Sequence, residues 1–206
     1  MDDNLDENNS IKVILLGDTA VGKTNIILRY YKDIFEPKSL STIGSNYIIK
    51  QLKRDDITYN LYIWDTTGQE KYHSVTKLFI QKSKIVILVY SIDNKESFEK
   101  LDYWFKTVLD ICNNGENIVF AIVGNKIDLF DEDACVVTEE EGKNYAKEKN
   151  AIFKLVSAKI DKKGIDSLFD QVLDEYLKKN KEANKDQEGF KLDTTKKEKK
   201  KKRKVC

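Results

Sequence analysis

The 206-residue sequence predicts an α/β fold, in which a mostly parallel sheet carries helices on both faces. Short runs rich in β-branched residues alternate with amphipathic helical segments along most of the chain. Two of these runs, residues 84–92 and 117–125, are apolar throughout, which is typical of central strands covered on both faces. Residues 45–52 and 59–65 follow one another without a helix between them and predict a hairpin. We therefore expect six strands, one of them antiparallel.

Each predicted strand is a short apolar or alternating run. In chain order the six runs are "IKVILLG" (11–17), "SNYIIKQL" (45–52), "YNLYIWD" (59–65), "KIVILVYSI" (84–92), "NIVFAIVGN" (117–125) and "AIFKLVS" (151–157).

The helices are predicted between the strands from the spacing of apolar residues. The third segment also begins with a capping-box pattern, Thr138 followed by Glu141. The four helical segments are "KTNIILRYY" (23–31), "NKESFEKLDYWFKTVLDIC" (94–112), "TEEEGKNYAKEKN" (138–150) and "IDSLFDQVLDEYLKK" (165–179).

The charge distribution divides the chain into three parts. Residues 1–10 are acidic, without an apolar stretch, and predict a disordered N-terminus and no signal peptide. Residues 11–180 predict one globular domain, and residues 181–206 a disordered basic tail. Residues 191–206 carry nine Lys/Arg and two acids, so the remainder of this chain of net charge +1 carries about −6. A mildly acidic body argues against a nucleic-acid-binding domain.

The apolar runs and the cysteines exclude other classes. The longest apolar run, "IVILVY", is too short to span a bilayer. The three cysteines, Cys112, Cys135 and Cys206, lie far apart without the spacing of a metal site or a disulfide framework. A reducing cytosol is therefore the expected environment.

The segment "GDTAVGKT" (17–24) predicts a phosphate-binding loop. It fits the pattern G-x-x-x-x-G-K-[ST], and it follows a predicted strand and opens a predicted helix. Backbone N–H groups of such a loop converge on phosphate oxygens, and the helix N-terminus adds a positive dipole end. Lys23 can reach the β- and γ-phosphates, and the Thr24 hydroxyl can bind Mg²⁺. The fold class is then a P-loop NTPase three-layer sandwich.

A second segment, "GNKID" (124–128), points to the base. It follows an apolar strand at the carboxyl edge of the sheet, where ligands bind in such folds. Asp128 can accept hydrogen bonds from N1–H and the exocyclic amine of guanine, whereas adenine would leave the carboxylate unpaired. Taken alone, Asn125 and Asp128 favour a turn, since Asn and Asp are common in loops.

Five segments together resemble the small GTPases of the Ras superfamily, and most of all the Rab branch. The resemblance covers about residues 10 to 180. The segments, in order, are "GDTAVGKT" (17–24), "STIG" (41–44), "WDTTGQE" (64–70), "GNKID" (124–128) and "SAK" (157–159).

The resemblance implies GTP, GDP and Mg²⁺ as ligands and assigns roles to single residues. Thr42 would close over the γ-phosphate and bind Mg²⁺ together with Thr24, while Asp65 would hold the metal through water. Gly68 would contact the γ-phosphate, and Gln69 would orient the attacking water, with Lys23 as the third catalytic residue. The further nucleotide-binding residues would be Asp18, Thr19, Ala20, Val21, Gly22, Asn25, Phe35, Asn125, Lys126, Asp128, Ser157, Ala158 and Lys159.

The resemblance also implies partners. The protein would be a monomer at the cytoplasmic face of an endomembrane, cycling with the cytosol. Its partners would be an exchange factor, a GTPase-activating protein, effectors, and a dissociation inhibitor or escort protein. Tyr47, Trp64 and Phe79 match an aromatic triad that Rab proteins use to meet effectors, although they could equally serve packing. Phe35 likewise is either the aromatic beside guanine or a core residue.

Some segments depart from the family pattern. Thr67 stands where the family usually has Ala, and we hypothesise that it slows intrinsic hydrolysis. "STIGSNY" and "KYHSVTKLFIQKSKIV" also differ from typical Rab switches, which puts the specific effectors and exchange factor in doubt. His73, in the second of these, is expected on an exposed face.

The last segment, "KKEKKKKRKVC" (196–206), predicts a membrane anchor. No a-a-X follows Cys206, so we expect one geranylgeranyl group on that residue, supported by the basic run at an anionic leaflet. A nuclear GTPase with an import signal, a GTP-binding scaffold that scarcely hydrolyses, and a P-loop nucleotide kinase remain alternatives. The guanine-reading "GNKID" argues against the kinase.

Overall fold

A computed structural model describes residues 9–37, 46–66, 73–112, 115, 117–132 and 135–202 of the chain. Within these ranges it leaves out the side chains of residues 46, 73–76, 131–132 and 184–202. The prediction for the acidic N-terminus lies almost entirely outside the described residues.

The described residues form one six-stranded sheet in the order β2-β3-β1-β4-β5-β6. β2 and β3 pair as an antiparallel hairpin, and every other neighbouring pair is parallel. The predicted mostly parallel sheet with one antiparallel strand is confirmed. The strands are β1 (Ser10–Leu16), β2 (Asn46–Arg54), β3 (Ile57–Asp65), β4 (Ile85–Ser91), β5 (Val119–Asn125) and β6 (Ile152–Leu155).

Helices cover both faces of this sheet. A 3₁₀ helix at Ile127–Glu132 follows β5. None of the helices within the described ranges is both long and apolar enough to cross a membrane. The α-helices are α1 (Lys23–Lys32), α2 (His73–Ile80), α3 (Lys95–Glu99), α4 (Leu101–Ile111), α5 (Glu139–Glu148) and α6 (Lys162–Lys202).

Alternate residues of the central strands enter two separate cores. Val13 of β1 packs with the cluster beneath α1 and α6, while its neighbour Ile14 packs with the cluster beneath α4. In the first cluster Tyr30 stacks on Phe169, with ring centroids 3.9 Å apart. Because β4 and β5 are buried at every residue, their uniform apolar character is explained by burial on both faces.

The predicted helix over residues 94–112 is two helices. Asn94 caps α3 by accepting the N–H of Ser97, and α3 ends one residue before α4 begins. Lys100 lies between them, with ψ of −9°. Amphipathic spacing continues through this junction, so periodicity alone does not reveal a break one residue long.

α6 is longer at both ends than the predicted segment 165–179. Its first turn is stabilised by Asp161, which accepts the N–H of Gly164 at 2.8 Å. The helical backbone continues to Lys202, where the sequence predicted disorder from residue 181. Lys, Glu and Gln favour helix locally even where few apolar residues are available for packing. The boundary between domain and tail stays a prediction.

Candidate functional site

The candidate site lies where parallel strands end at one edge of the sheet. The loop "GDTAVGKT" follows β1, and Asp65 ends β3. Asn125 ends β5, and Ser157 lies two residues beyond β6. Since β1, β3, β5 and β6 are parallel, their carboxyl ends meet at this edge, as the sequence predicted.

Two glycines shape the loop because no side chain fits at either position. A Cβ on Gly17 would lie 2.1 Å from the carbonyl oxygen of Val89. A Cβ on Gly22 would lie 2.3 Å from Nδ2 of Asn125, and the φ of Gly22 is +96°. Gly22 is also the N-cap of α1, so the loop leads directly into a helix N-terminus. This backbone fits a phosphate group.

Lys23 is buried inside the loop. Its Nζ donates to the carbonyl oxygens of Gly17 at 2.9 Å and of Asp18 at 2.8 Å. Burial lowers the pKa of Lys23 to about 8, although the carboxylates of Asp65 and Asp18 act in the opposite direction. The amine is therefore held at the loop by two carbonyls, ready for an anion that would favour its charged form.

Thr24 and Asp65 bring two oxygen ligands together. The Thr24 hydroxyl donates to Oδ2 of Asp65 at 2.8 Å. The next residue, Thr66, is buried and donates its hydroxyl to the carbonyl oxygen of Leu15 at 2.6 Å, which fixes the end of β3 against β1. A hydroxyl and a carboxylate are hard oxygen donors, so the pair fits Mg²⁺.

Asn125 connects the phosphate-binding loop to the segment after β6. Its Nδ2 donates to the carbonyl oxygen of Val21 at 2.8 Å. Its Oδ1 accepts the N–H of Ala158 at 3.1 Å. The side chain is buried, so both hydrogen bonds are protected from water. One residue thereby fixes the relative position of the two loops.

Ser157 orients Asp128. Its hydroxyl donates to Oδ1 of Asp128 at 2.5 Å and accepts the N–H groups of Lys159 and Ile160. Lys159 places Nζ 3.5 Å from Oδ2 of Asp128. The Asp128 side chain is only 12% exposed, so it is fixed in direction by its neighbours. The sequence motifs predict Ser157 as a nucleotide-binding residue but do not indicate its contact with Asp128.

Lys126 is held by a residue outside the five motif segments. Its backbone has φ of +71°, a left-handed conformation unusual for lysine. Its Nζ lies 3.5 Å from both carboxylate oxygens of Asp93, which follows β4. Asp93 accepts a hydrogen bond from Ser91 as well. This network fixes the lysine beside the end of β5.

Arg29 is a second residue that the motifs did not reveal. From α1 it donates to the carbonyl oxygens of Ala158 and Lys159, each at 2.8 Å. It also bonds Asp33 at the end of the same helix. Ala158 and Lys159 lie about 130 residues from Arg29 in sequence, so only the fold shows these two contacts. Arg29 secures the "SAK" segment against α1.

Asn25 lies in the first turn of α1, and Phe35 lies three residues beyond the end of that helix. Asn25 is buried and exchanges two hydrogen bonds with the backbone of Glu36, at 2.9 and 3.1 Å. Phe35 is half-buried and packs against the core cluster beneath α1 and α6. The packing interpretation of Phe35 is thus supported, and its role beside guanine stays a prediction.

Comparisons with known proteins agree with this site. Residues 12–178 match the sequence profile of the Ras family. The chain belongs to the Ras family. It is 33% identical over 191 residues to Ras-related protein Rab-18 of Caenorhabditis elegans, covering 93% of this chain and 92% of the relative. It is 39% identical over 160 residues to Ras-related protein Rab-21 of Homo sapiens, covering 78% and 69%.

These relatives establish the Rab-like branch that the motifs indicated. The protein is therefore a small GTPase, an enzyme that binds guanine nucleotide and hydrolyses GTP, and it acts in membrane traffic in association with endomembranes.

The aromatic triad of this Rab-like GTPase is assembled at the β2–β3 hairpin. Tyr47 stacks on Trp64 with ring centroids 4.9 Å apart, and Trp64 lies 5.4 Å from Phe79 of α2. Tyr47 is 49% exposed, so the triad reaches the surface. Nζ of Lys12 lies 4.8 Å from the centre of the Trp64 ring. Effector binding by the triad stays a prediction.

Several predicted residues of the GTPase lie outside the described parts of the chain. They include the two switch residues that would sense the γ-phosphate, the residue that would orient water, the unusual threonine and the lipidation site. The His73 side chain is likewise not among the described side chains, so its exposure stays a prediction. The residues concerned are Thr42, Thr67, Gly68, Gln69 and Cys206.

Proposed function

We propose that this Rab-like GTPase binds GTP and GDP with Mg²⁺ and recruits effectors only in its GTP-bound state. The observation that carries the proposal is the position of Asn125. Its amide bonds both the phosphate-binding loop, at Val21, and the "SAK" segment, at Ala158. A ligand that spans both loops, with phosphates at one and a base at the other, is a nucleotide.

Guanine is the base that the carboxylate of Asp128 favours. Its N1–H and exocyclic amine are adjacent donors, and a carboxylate offers two acceptor oxygens. Adenine presents an acceptor and a C–H at this position, so it would form neither of these hydrogen bonds, which costs orders of magnitude in affinity. Ser157 and Lys159 support this recognition because their contacts fix the direction of the Asp128 carboxylate. The N–H of Ala158 would then serve the guanine oxygen.

The phosphates would be bound by Lys23 and the backbone of "GDTAVGKT". Lys23 would exchange its bonds to loop carbonyls for bonds to the β- and γ-phosphates. Thr24, Asp65 and Thr42 would hold Mg²⁺, with Asp65 acting through water. When bound, the ion neutralises charge that develops on the phosphate oxygens.

Hydrolysis would depend on three residues of the switch segments. Thr42 and Gly68 would contact the γ-phosphate and lose that contact after hydrolysis, which releases two loops. Gln69 would orient the attacking water. None of the five motif segments contains an arginine that could act as a finger, so a GTPase-activating protein would supply roughly 10³ to 10⁵ in rate. Thr67 would slow the intrinsic reaction.

The tail would attach the protein to a membrane. One geranylgeranyl group on Cys206 would give reversible binding, and the lysine run would contribute roughly 1 kcal/mol per basic residue near an anionic leaflet. The protein would cycle between the cytosol and the cytoplasmic face of an endomembrane. This cycle would need an exchange factor, a dissociation inhibitor or escort protein, and effectors that contact Tyr47, Trp64 and Phe79.

Single-turnover GTP hydrolysis tests the catalytic part of the proposal. Wild type should hydrolyse slowly, Gln69→Leu at least about tenfold more slowly, and Thr67→Ala faster than wild type. Equal rates for wild type and Gln69→Leu would contradict the role of Gln69. An unchanged rate for Thr67→Ala would remove the hypothesis for Thr67 alone.

A further inference from the structure

A lysine from outside the nucleotide motifs reaches the phosphate-binding loop. Lys100 lies at the junction between α3 and α4, and its Nζ is 2.9 Å from Oδ2 of Asp18. The same Nζ lies 2.9 Å from Glu96, one helical turn earlier. Asp18 and Lys100 are 82 residues apart in sequence, so the folded chain alone brings them together.

Asp18 places a negative charge in a loop that binds anions. Its side chain is 14% exposed. Oδ1 accepts the N–H of Thr19 at 2.7 Å, and its backbone oxygen accepts from Nζ of Lys23 at 2.8 Å. The carboxylate is thus built into the backbone of the loop, close to the amine that would bind the phosphates.

Lys100 is held in place to neutralise this charge. Ser97 is fully buried and bonds the backbone of Ser91, so α3 is fixed to the end of β4. The backbone N–H of Lys100 donates to the carbonyl oxygen of Glu96, which continues α3 up to the junction. Hydrogen bonds to the carboxylates of Asp18 and Glu96 raise the pKa of Lys100, so it is a cation at neutral pH.

An uncompensated Asp18 would oppose nucleotide binding. Charges within about 8 Å interact with little screening at physiological salt, and partly buried charges are screened least. The repulsion grows with the charge of the ligand, so it would oppose GTP more than GDP. A defect in packing would instead weaken both nucleotides equally.

We propose that Lys100 is a positioning residue of the nucleotide site: it neutralises Asp18, holds the phosphate-binding loop, and favours the triphosphate over the diphosphate. The proposal rests on the proposed function of the site. It adds a residue that none of the five motif segments contains.

Release of two fluorescent nucleotides, mant-GDP and the non-hydrolysable mant-GppNHp, tests the role of Lys100. With Mg²⁺ present, Lys100→Met should release mant-GppNHp about fivefold faster than wild type, with a smaller effect on mant-GDP. Lys100→Arg should restore slow release because it keeps the cation. Lys143→Met is a matched control, since Lys143 also pairs with an acid one turn away, Glu139, on an exposed helix face.

The variant Asp18→Asn removes the negative charge of the side chain but nearly keeps its shape, so it separates the effect of the charge from that of the loop structure. If Lys100 acts through the carboxylate, Asp18→Asn/Lys100→Met should release mant-GppNHp more slowly than Lys100→Met. Both proteins lack Lys100, so the comparison isolates the charge of Asp18. Unchanged release in Lys100→Met, equal acceleration for both nucleotides, or no rescue by Asp18→Asn would overturn the proposal. Failure of wild type to bind either nucleotide would instead overturn the proposed function.

Discussion

Thr24, at the start of α1, donates its hydroxyl proton to Asp65, at the end of β3, with the two oxygens 2.8 Å apart. The two residues come from the phosphate-binding loop and from the strand that leads towards Gly68 and Gln69. Their contact therefore couples the position of a proposed metal ligand to the segment that would sense the γ-phosphate. The chemistry of this pair gives the first prediction.

Thr24→Val should remove the response of nucleotide release to Mg²⁺. Valine keeps the shape of threonine but lacks the hydroxyl, so one oxygen ligand is lost. In wild type, EDTA should accelerate release of mant-GDP by at least about tenfold. In Thr24→Val, release should be fast with or without EDTA. Thr107→Val is the control, because the exposed Thr107 hydroxyl donates to the carbonyl oxygen of Tyr103 within its own helix. A full EDTA response in Thr24→Val would contradict the metal assignment.

Lys23 should make the stability of the nucleotide-free protein rise with pH. The folded-state pKa is lowered from 10.5 to about 8, so between these values the unfolded chain binds a proton that the folded protein has lost. The free energy of unfolding therefore increases as pH rises from 8 towards 10.5, by about 3 kcal/mol at most. Urea unfolding of wild type and Lys23→Met at pH 7.5 and 10, in EDTA, measures it. If the free energy of unfolding changes with pH equally in the two proteins, burial does not lower the pKa of Lys23.

Asn125→Ala should destabilise the site even without nucleotide. The carbonyl oxygen of Val21 and the N–H of Ala158 would both lose a buried partner, which costs about 1–3 kcal/mol. The urea midpoint should fall accordingly, and nucleotide release should accelerate. Gln51→Ala is the matched control, because Gln51 bonds Asn60 on the exposed face of the hairpin. Equal midpoints for the two variants would contradict the connecting role of Asn125.

Cys206→Ser should move the protein from membranes to the soluble fraction of the cell. The serine cannot carry a thioether-linked prenyl group, and a basic run alone binds membranes weakly. Fractionation of cells that express each form measures the distribution, and mass spectrometry of the C-terminal peptide identifies the modification. An unmodified Cys206 in membrane-bound wild type would rule out the lipid anchor.

The sheet and the motif positions could be predicted from sequence because both are local signals. The uniform apolar runs that became β4 and β5 reveal burial on both faces. The glycines of "GDTAVGKT" reveal a loop where no Cβ fits. Even the capping box at Thr138 and Glu141 is present as the pattern indicated.

The contacts that hold the site could not be predicted, because they join residues distant in sequence. Arg29 reaches the carbonyls of Ala158 and Lys159, and Lys100 reaches Asp18. No periodicity or motif contains such pairs, since they depend on where the strands bring the loops. The helical backbone beyond residue 181 depends on a different signal from the predicted tail: low hydrophobicity predicts poor packing, whereas local helix propensity follows the residue types.

The most direct test of the central claim is competition of GTP and ATP for the site, in wild type and in Asp128→Asn. In wild type, GTP should displace mant-GDP at concentrations at least about 1000-fold lower than ATP. Asp128→Asn should reduce that ratio by about 100-fold or more, because an amide presents only one acceptor to the two guanine donors. Exposed Asp110 provides the control Asp110→Asn. Equal displacement by GTP and ATP in wild type would contradict a guanine-nucleotide site.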